Sequence, residues 1–369
     1  MFFFLAALSK KVAFLSFFRL FDSLLFRSLA AMTTALIFSL IFGKPIIDRL
    51  YKAGMRDVIR DYGGIGTNDK KGTPTMGGVL IVSSILFSIL LWSNLASMFV
   101  WLAVASMLWF GGIGAYDDVM KVRFKNSDKG LSQKHKILLQ LFFAGVLAFI
   151  LYSSYTTPFS TQLKNTLYVP FIKNIYGIYL GWLYIPFAVF VVLAIANAVN
   201  FADGLDGLSI MPSITTGAVY GLFAYIIGNF AFAKYLLFNY VPGVGEMTVI
   251  MAALFGAGLG FLWYNCYPAT VFMGDTGSMA IGGLLATVVL CTKQELVFVI
   301  AGGVFVIEAF SVLLQEKIGI NIIGRRFLFR SPIHHTFQHK GLPETKIVPR
   351  FWIVSIILAI VSLFTLKIR

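Results

Sequence analysis

Residues 97–118 read SMFVWLAVASMLWFGGIGAYDD, an apolar run closed by two adjacent carboxylates. A helix needs about 20 mainly apolar residues to cross the hydrocarbon layer of a bilayer. The stretch from Ser97 to Tyr116 meets that length, and Asp117 and Asp118 mark where the chain reaches water. The pattern recurs. Candidate spans fall at 28–48, 75–95, 97–116, 135–155, 178–199, 208–228, 246–264, 277–292, 295–316 and 350–367. The expected fold is an all-α integral membrane protein of about ten transmembrane helices. Residues 1–27, apolar with Lys10, Lys11, Arg19 and Arg27 interspersed, are expected to lie uncleaved at the membrane interface. Residues 28–369 then form one polytopic membrane domain, with no appended soluble domain and no internal repeat.

Composition agrees with lipid as the solvent. Of 369 residues, 58% are hydrophobic and 12% charged, against about 45–50% and about 25% in soluble domains. A net charge of +14 on a soluble protein would suggest nucleic acid. Here it reads as topology, because Lys and Arg collect in cytoplasmic loops. Loops 49–74, 117–134 and 317–349 hold 17 of the 30 Lys and Arg, and the opposite side with both chain ends holds 9. The basic side is therefore expected in the cytoplasm and both termini outside. Cys266 and Cys291 have neither disulfide nor metal-ligand spacing and read as packing residues.

Acids number only sixteen, so their positions carry information. Ionisable groups at a membrane edge are functional candidates by default. Asp117 and Asp118 end the third span, Asp203 and Asp206 stand in NFADGLDGLS after the fifth, and Asp275 stands in YPATVFMGDTGS before the eighth. All five share the cytoplasmic boundary. The 199–207 and 265–277 loops carry Asp but no Lys or Arg, and are flanked by Asn200 and Asn265. Hard divalent cations take carboxylate and amide oxygens, and Mg²⁺ adds substrate phosphates. Asp203 and Asp206 are three apart and would share a face of a helical turn. Gly204 and Gly207 would let a ligand approach the backbone. Lys70, Lys71 and Thr75 in KKGTPTMGG and Lys121 beyond the DD pair would bind phosphate oxygens. By contrast, Lys125 and Lys129 read as headgroup anchors, and Asp48, Asp57, Asp61, Asp69 and Asp128 as solvated loop acids. His334 and His335 in RSPIHHTFQHKG could donate to phosphate, and Pro332 disfavours a continuous helix there. Glu308 and Gln315, seven apart in the ninth span, either bond between helices or line the cleft. GAGLG at 256–260 reads as close helix packing.

Together KKGTPTMGG, AYDDVMK, NAVNFADGLDGL, YPATVFMGDTGS and SPIHHTF with KGLPETKIVPRFW resemble the phospho-N-acetylmuramoyl-pentapeptide transferases (MraY). These belong to the polyprenyl-phosphate N-acetylhexosamine-1-phosphate transferases. The resemblance runs from about residue 40 to the C-terminus and agrees with ten spans. It implies that undecaprenyl phosphate attacks the β-phosphate of UDP-N-acetylmuramoyl-pentapeptide with Mg²⁺, releasing UMP and lipid I at the bacterial inner membrane. On that resemblance Asp275 is the Mg²⁺ ligand, and Asp117 with Asp118 receives the lipid phosphate. Lys70, Thr75, Asn200, Asp203, Asp206, Asn265 and Phe272 match the nucleoside and pyrophosphate pocket, Phe272 by stacking on uracil, and the residue reading adds Lys121 and Gln315 as substrate-binding candidates. His334 and His335 match the start of the family's histidine run, from which Thr336 and Gln338 depart.

The expected partners are thus undecaprenyl phosphate, the muramoyl-pentapeptide nucleotide and the bilayer, with no nucleic acid and with a second copy of the chain as a candidate. Two other readings stay open. One is a sibling transferase using UDP-N-acetylglucosamine, with the 317–349 loop as the discriminating feature. The other is a secondary transporter, whose acids would lie near the bilayer midplane rather than at one edge.

Overall fold

A computed structural model describes residues 1–4, 13–56, 72–126, 129–153, 155–172 and 177–368. The fold is all-α, and every expected span contains helix. The helices are α1 (Leu24–Lys52), α2 (Gly78–Trp92), α3 (Met98–Phe124), α4 (Gln133–Tyr152), α5 (Tyr184–Phe201), α6 (Ile210–Ile227), α7 (Glu246–Asn265) and α8 (Gly274–Cys291). Then follow α9 (Phe298–Ala301), α10 (Gly303–Val312), α11 (Ile333–His339) and α12 (Glu344–Phe364). Eight helices among the described residues are long and apolar enough to cross a membrane, α5 counting from Gly181. The other two expected spans are helical but not single long helices. Helix α2 has only 15 residues. The ninth span breaks at Gly302 into α9 and α10, and then widens into a π-helical stretch, Leu313–Ile323. A two-residue hairpin, Thr166–Leu167 with Ile178–Tyr179, lies between α4 and α5.

Helix α8 is the axis of the bundle, buried from Thr276 to Cys291, and α1, α4 and α12 are peripheral. Without a hydrophobic drive between helices in lipid, close approach relies on small residues. Gly111 and Gly114, one turn apart on α3, supply it. A Cβ on Gly114 would strike the carbonyl of Asp275, and one on Gly111 would meet Ala280 at 3.1 Å. Gly112 points away, and a Cβ there meets nothing within 4 Å. The 256–260 reading holds, since Gly256 packs on the Met32 carbonyl of α1 and Gly260 on Ser39.

The end of the bundle remote from the acid loops is closed by buried charge. Arg27 holds Glu246 with two hydrogen bonds of 2.8 and 2.7 Å. Lys293 lies 3.7 Å from Glu295, and the Tyr184 hydroxyl donates to Glu295 at 2.7 Å. Burial lowers the Lys293 ammonium to about 8, and Glu295 opposes that shift. Taking one member from such a pair leaves an uncompensated buried charge.

The α3–α8 contact yields the first test. Gly114→Ala is expected to cost at least about 1–3 kcal/mol by overpacking, while Gly112→Ala costs nothing. Thermal unfolding in detergent checks both, and equal melting temperatures for the two variants would contradict the packing account.

Candidate active site

Helix α3 does not end at the acids, as expected, but runs two turns further to Phe124. Asp117 and Asp118 are therefore helical side chains, 3% and 4% exposed. Asp275 likewise stands in the first turn of α8 rather than in a loop. Helix N-termini present unpaired amides. Asp118 satisfies those of α8, accepting from Asp275 N at 3.1 Å, Thr276 N at 2.9 Å and the Thr276 hydroxyl at 2.6 Å. Glycine at 274 is required twice, by φ +71° and because a Cβ would lie 2.6 Å from Asp118 Oδ2. Asp118 thus positions the α8 terminus.

Asp117 and Asp275 hold two lysines between them. Lys121 Nζ lies 2.6 Å from Asp117 Oδ2 and 2.9 Å from Asp275 Oδ2. Lys136 Nζ lies 2.8 Å from Asp275 Oδ2 and 3.8 Å from Asp117 Oδ2. Asn200 donates to Asp275 Oδ1 at 2.8 Å and to the Ser278 hydroxyl at 2.9 Å, and the Leu131 amide donates to Asp117 Oδ1 at 2.6 Å. Two carboxylates with two ammoniums make a neutral cluster, which lowers the cost of partial burial. Asn200 belongs to α5, not to a loop. Sequence reasoning grouped Lys136 with the basic residues that follow the DD pair but did not name it among the substrate-binding residues. Its signal was the one applied to the acids, an ionisable group inside an apolar run.

A cavity of about 230 Å³ opens beside this cluster, lined by Thr75, Asp118, Lys121, Asp203, Asp206, Asn265, Phe272 and Asp275 among others. Three motifs build it. Residues 74–78 zip onto 272–273, with Phe272 N to Pro74 O at 2.9 Å, Gly77 N to Phe272 O at 2.8 Å and Gly78 N to Met273 O at 2.9 Å. The pair Gly77–Gly78 permits this, since a Cβ on Gly78 would strike the Gly277 backbone. Asn265 ties the other two loops, accepting from Gly207 N at 2.9 Å and donating to Val271 O at 2.8 Å. Asp206 accepts from Ala269 N at 3.1 Å, and its own amide donates to Glu344 at 2.7 Å. Leu205 and Leu208 bury against Ile347 and Val348, and Trp352 donates to the Gly207 carbonyl at 2.9 Å. The C-terminal motif thus anchors the DGLDG turn.

Asp203 is half-buried and accepts from the Ser209 hydroxyl at 2.8 Å. Burial raises its carboxyl to about 7, with Ser209 opposing and the charges of Asp275, Asp118 and Asp206 adding.

Several expected residues take other places. The Cβ side of Gly204 is filled by the His334 ring while the residue itself lines the cavity, and Gly207 faces Leu262 and Trp352. His334 is buried under the turn, with Nδ1 3.1 Å from Glu308 Oε2. His335 bonds Gln338 at 2.8 Å and lines a second cavity of about 320 Å³ with Gln315, Arg326 and Arg330. Burial, then His334, lowers His335 to about 4, so it is a neutral hydrogen-bonding group at neutral pH. Helix α11 starts directly after Pro332. Gln315 accepts from the Phe327 and Leu328 amides and donates to the Leu328 carbonyl, all at 3.0 Å, which clamps that loop. Lys70 and Lys71 lie outside the described residues.

No group of three His, Cys, Asp or Glu among the described residues has the geometry of a metal site. The donor set fits a different kind of ion, one that takes one or two carboxylates and completes its shell with substrate phosphate and water, as Mg²⁺ does. Asp275 and Asp117 would hold it.

The charged cluster and the polar cavity thus lie together at one end of a bundle of apolar helices. A model of glycosyl transferase family 4 matches residues 98–293, more than half of the chain, and the chain belongs to that family, the polyprenyl-phosphate hexosamine-1-phosphate transferases. Residues 70–82 match signature 1 of the phospho-N-acetylmuramoyl-pentapeptide-transferases. Of the five aspartates, all lie within the family match, and Thr75 lies within the signature.

Two outcomes test the geometry. Asp118→Ala is expected to lower stability by about 1–3 kcal/mol, because the α8 amides lose their acceptor. Thermal unfolding reads it, and an unchanged melting temperature would refute the capping role. Asp203 has a folded pKa raised from 3.8 to about 7, so the stability it contributes is full below the first value and lost as pH rises through the second. Asp203→Asn should therefore gain stability relative to wild type between about pH 4 and 7, measured as melting temperature against pH.

Proposed function

We propose that this phosphosugar transferase moves phospho-N-acetylmuramoyl-pentapeptide from its UDP carrier to undecaprenyl phosphate, forming lipid I and UMP. The observation that carries the reading is the neutral cluster of Asp117, Lys121, Asp275 and Lys136 at one bundle edge, beside a polar cavity. The muramoyl signature at 70–82 supports the substrate. The positive-inside count supports a cytoplasmic site in a bacterial inner membrane, with both termini outside.

The chemistry follows from charge. An oxygen of the lipid phosphate bonds to the β-phosphorus, the bond from that phosphorus to the bridging oxygen breaks, and UMP leaves with the electron pair. A phosphate monoester has a second pKa near 6, so the nucleophile is mostly ionised at neutral pH without a strong base. Positioning and charge neutralisation are then the main demands. Lys121 and Lys136 meet them by exchanging carboxylate for phosphate partners, which frees Asp117 and Asp275. Asp117 orients the incoming lipid phosphate rather than acting as an obligatory base. Thr75, Asn265, Phe272, Asp203 and Asp206 form the nucleotide side of the cavity. His335 and Gln315 sit at a neighbouring cavity in the 317–349 loop, where the sugar or peptide would extend. When bound, Mg²⁺ held by Asp275 and Asp117 supplies neutralisation of the pyrophosphate.

UMP release from UDP-N-acetylmuramoyl-pentapeptide and undecaprenyl phosphate tests this. Wild type should turn over, Asp275→Asn should lose at least about 100-fold, and chelation should abolish activity until Mg²⁺ is restored. Preferential turnover of UDP-N-acetylglucosamine would replace the substrate assignment with the sibling one.

A further inference from the structure

Helix α4 buries one stripe, Gln140, Ala144, Leu147, Ala148 and Leu151, and exposes Leu138, Phe142 and Phe149. Lipid tails are as apolar as Ala or Leu, so apolar contacts alone fix poorly where such a helix sits along its neighbour. Gln140 is the polar member of the stripe and is wholly buried. Its amide pairs with that of Asn197 on α5. Asn197 Nδ2 donates to Gln140 Oε1 at 2.8 Å, and Gln140 Nε2 donates to Asn197 Oδ1 at 3.4 Å. Asn197 Nδ2 also donates to the Leu193 carbonyl at 2.8 Å, which ties the side chain to its own helix. An amide left unpaired among hydrocarbon is costly. Sliding α4 along α5 would unpair two of them, so this contact specifies register, as one buried Asn does in a coiled coil.

Register matters one turn away. Lys136 precedes Gln140 by one turn on the same stripe of α4, and Asn200 follows Asn197 by one turn on the same face of α5. Both steps end on one carboxylate. Lys136 Nζ lies 2.8 Å from Asp275 Oδ2, and Asn200 donates to Asp275 Oδ1 at 2.8 Å. The two helices are thus joined by two polar rungs, an amide pair and then the Lys136–Asp275–Asn200 bridge. The other members of the charge cluster sit on the close α3–α8 contact, Asp117 and Lys121 on α3 and Asp275 on α8. Lys136 alone comes from a peripheral helix. A slip of one residue would shift its Cα by about 1.5 Å and turn it by about 100° away from Asp275.

We propose that Gln140 and Asn197 are positioning residues for the transfer reaction. Their amide pair locks α4 against α5, so that the Lys136 ammonium meets Asp275 and then the phosphate that replaces it. The inference rests on the transfer reading above for its consequence, and on the two rungs for its geometry.

Lysine acylation tests the position separately from turnover. Full-length protein in phosphatidylglycerol nanodiscs is treated with an amine-reactive ester, and labelling of Lys136 is mapped by peptide against the exposed Lys125. Gln140→Leu should raise Lys136 labelling severalfold, as a side chain 16% exposed opens to water. It should also cut kcat for UMP release about tenfold to 100-fold, the cost of a misplaced catalytic group. Inhibition by UMP should not change, which shows an intact nucleotide side. Asn197→Leu breaks the same rung from α5 and should match it in every readout, so a folding failure of one variant leaves the other. The exchange Gln140→Asn with Asn197→Gln keeps an amide on each helix and should restore both readouts. Ser39→Ala removes a 2.8 Å bond between α1 and α2 and should change neither. Unchanged Lys136 labelling in Gln140→Leu, unchanged kcat, or an equal response in Ser39→Ala would overturn the lock. If wild type still releases UMP in those cases, the transfer reading stands. A Lys136 response without UMP release from either sugar nucleotide would keep the lock and sink the transfer reading.

Discussion

The structure depends on one contact, the approach of the α3 backbone to the N-terminus of α8. Gly114 lets the Asp275 carbonyl lie against α3, and Asp118, one turn on, accepts the amides of Asp275 and Thr276. Glycine and carboxylate thus solve one problem. A helix terminus near the membrane edge has amides that lipid cannot satisfy, and a buried carboxylate needs donors. Each requirement answers the other. The remaining loops are then referred to this terminus, with residues 74–78 zipped to 272–273 and the DGLDG turn tied through Asn265.

That constraint explains why two adjacent aspartates have unlike roles. Successive residues on a helix point about 100° apart, so Asp118 faces α8 while Asp117 faces Lys121 and Lys136. The lysines are held against Asp275 by charge in a setting of reduced dielectric, where an unpaired ion would be costly. Their arrangement is suited to exchange, because phosphate offers the ammoniums the same kind of oxygen. The site is preorganised in position and neutral in sum.

Much of this was legible in the residues, and the limits have physical causes. Apolar runs gave the helices because lipid imposes both length and composition. They gave no account of α2 being short or of the break at Gly302. The rarity of acids identified all five aspartates, but periodicity could not tell cap from cluster, since both roles use a carboxylate at the same depth. Gly204 invited a ligand in the sequence and met His334 in space, a contact between residues 130 positions apart. Gln315 and Asn265 looked like ligand-binding amides and, besides lining cavities, have backbone partners, which no local pattern reveals. Lys136 was grouped with its basic neighbours and not singled out, because its place in the sequence, at the start of a span, does not show that it reaches Asp275. The C-terminal RFW element has a plain role, with Trp352 holding the Gly207 carbonyl.

The central claim is that the lysines bracketed by Asp117 and Asp275 change partners when phosphate arrives. A structure with UDP-N-acetylmuramoyl-pentapeptide and Mg²⁺ bound measures this directly. The account predicts Lys121 or Lys136 on phosphate oxygens, with a divalent ion about 2.0–2.1 Å from a carboxylate oxygen of Asp275. Nucleotide phosphates bound elsewhere, with both ammoniums still on Asp275, would contradict it.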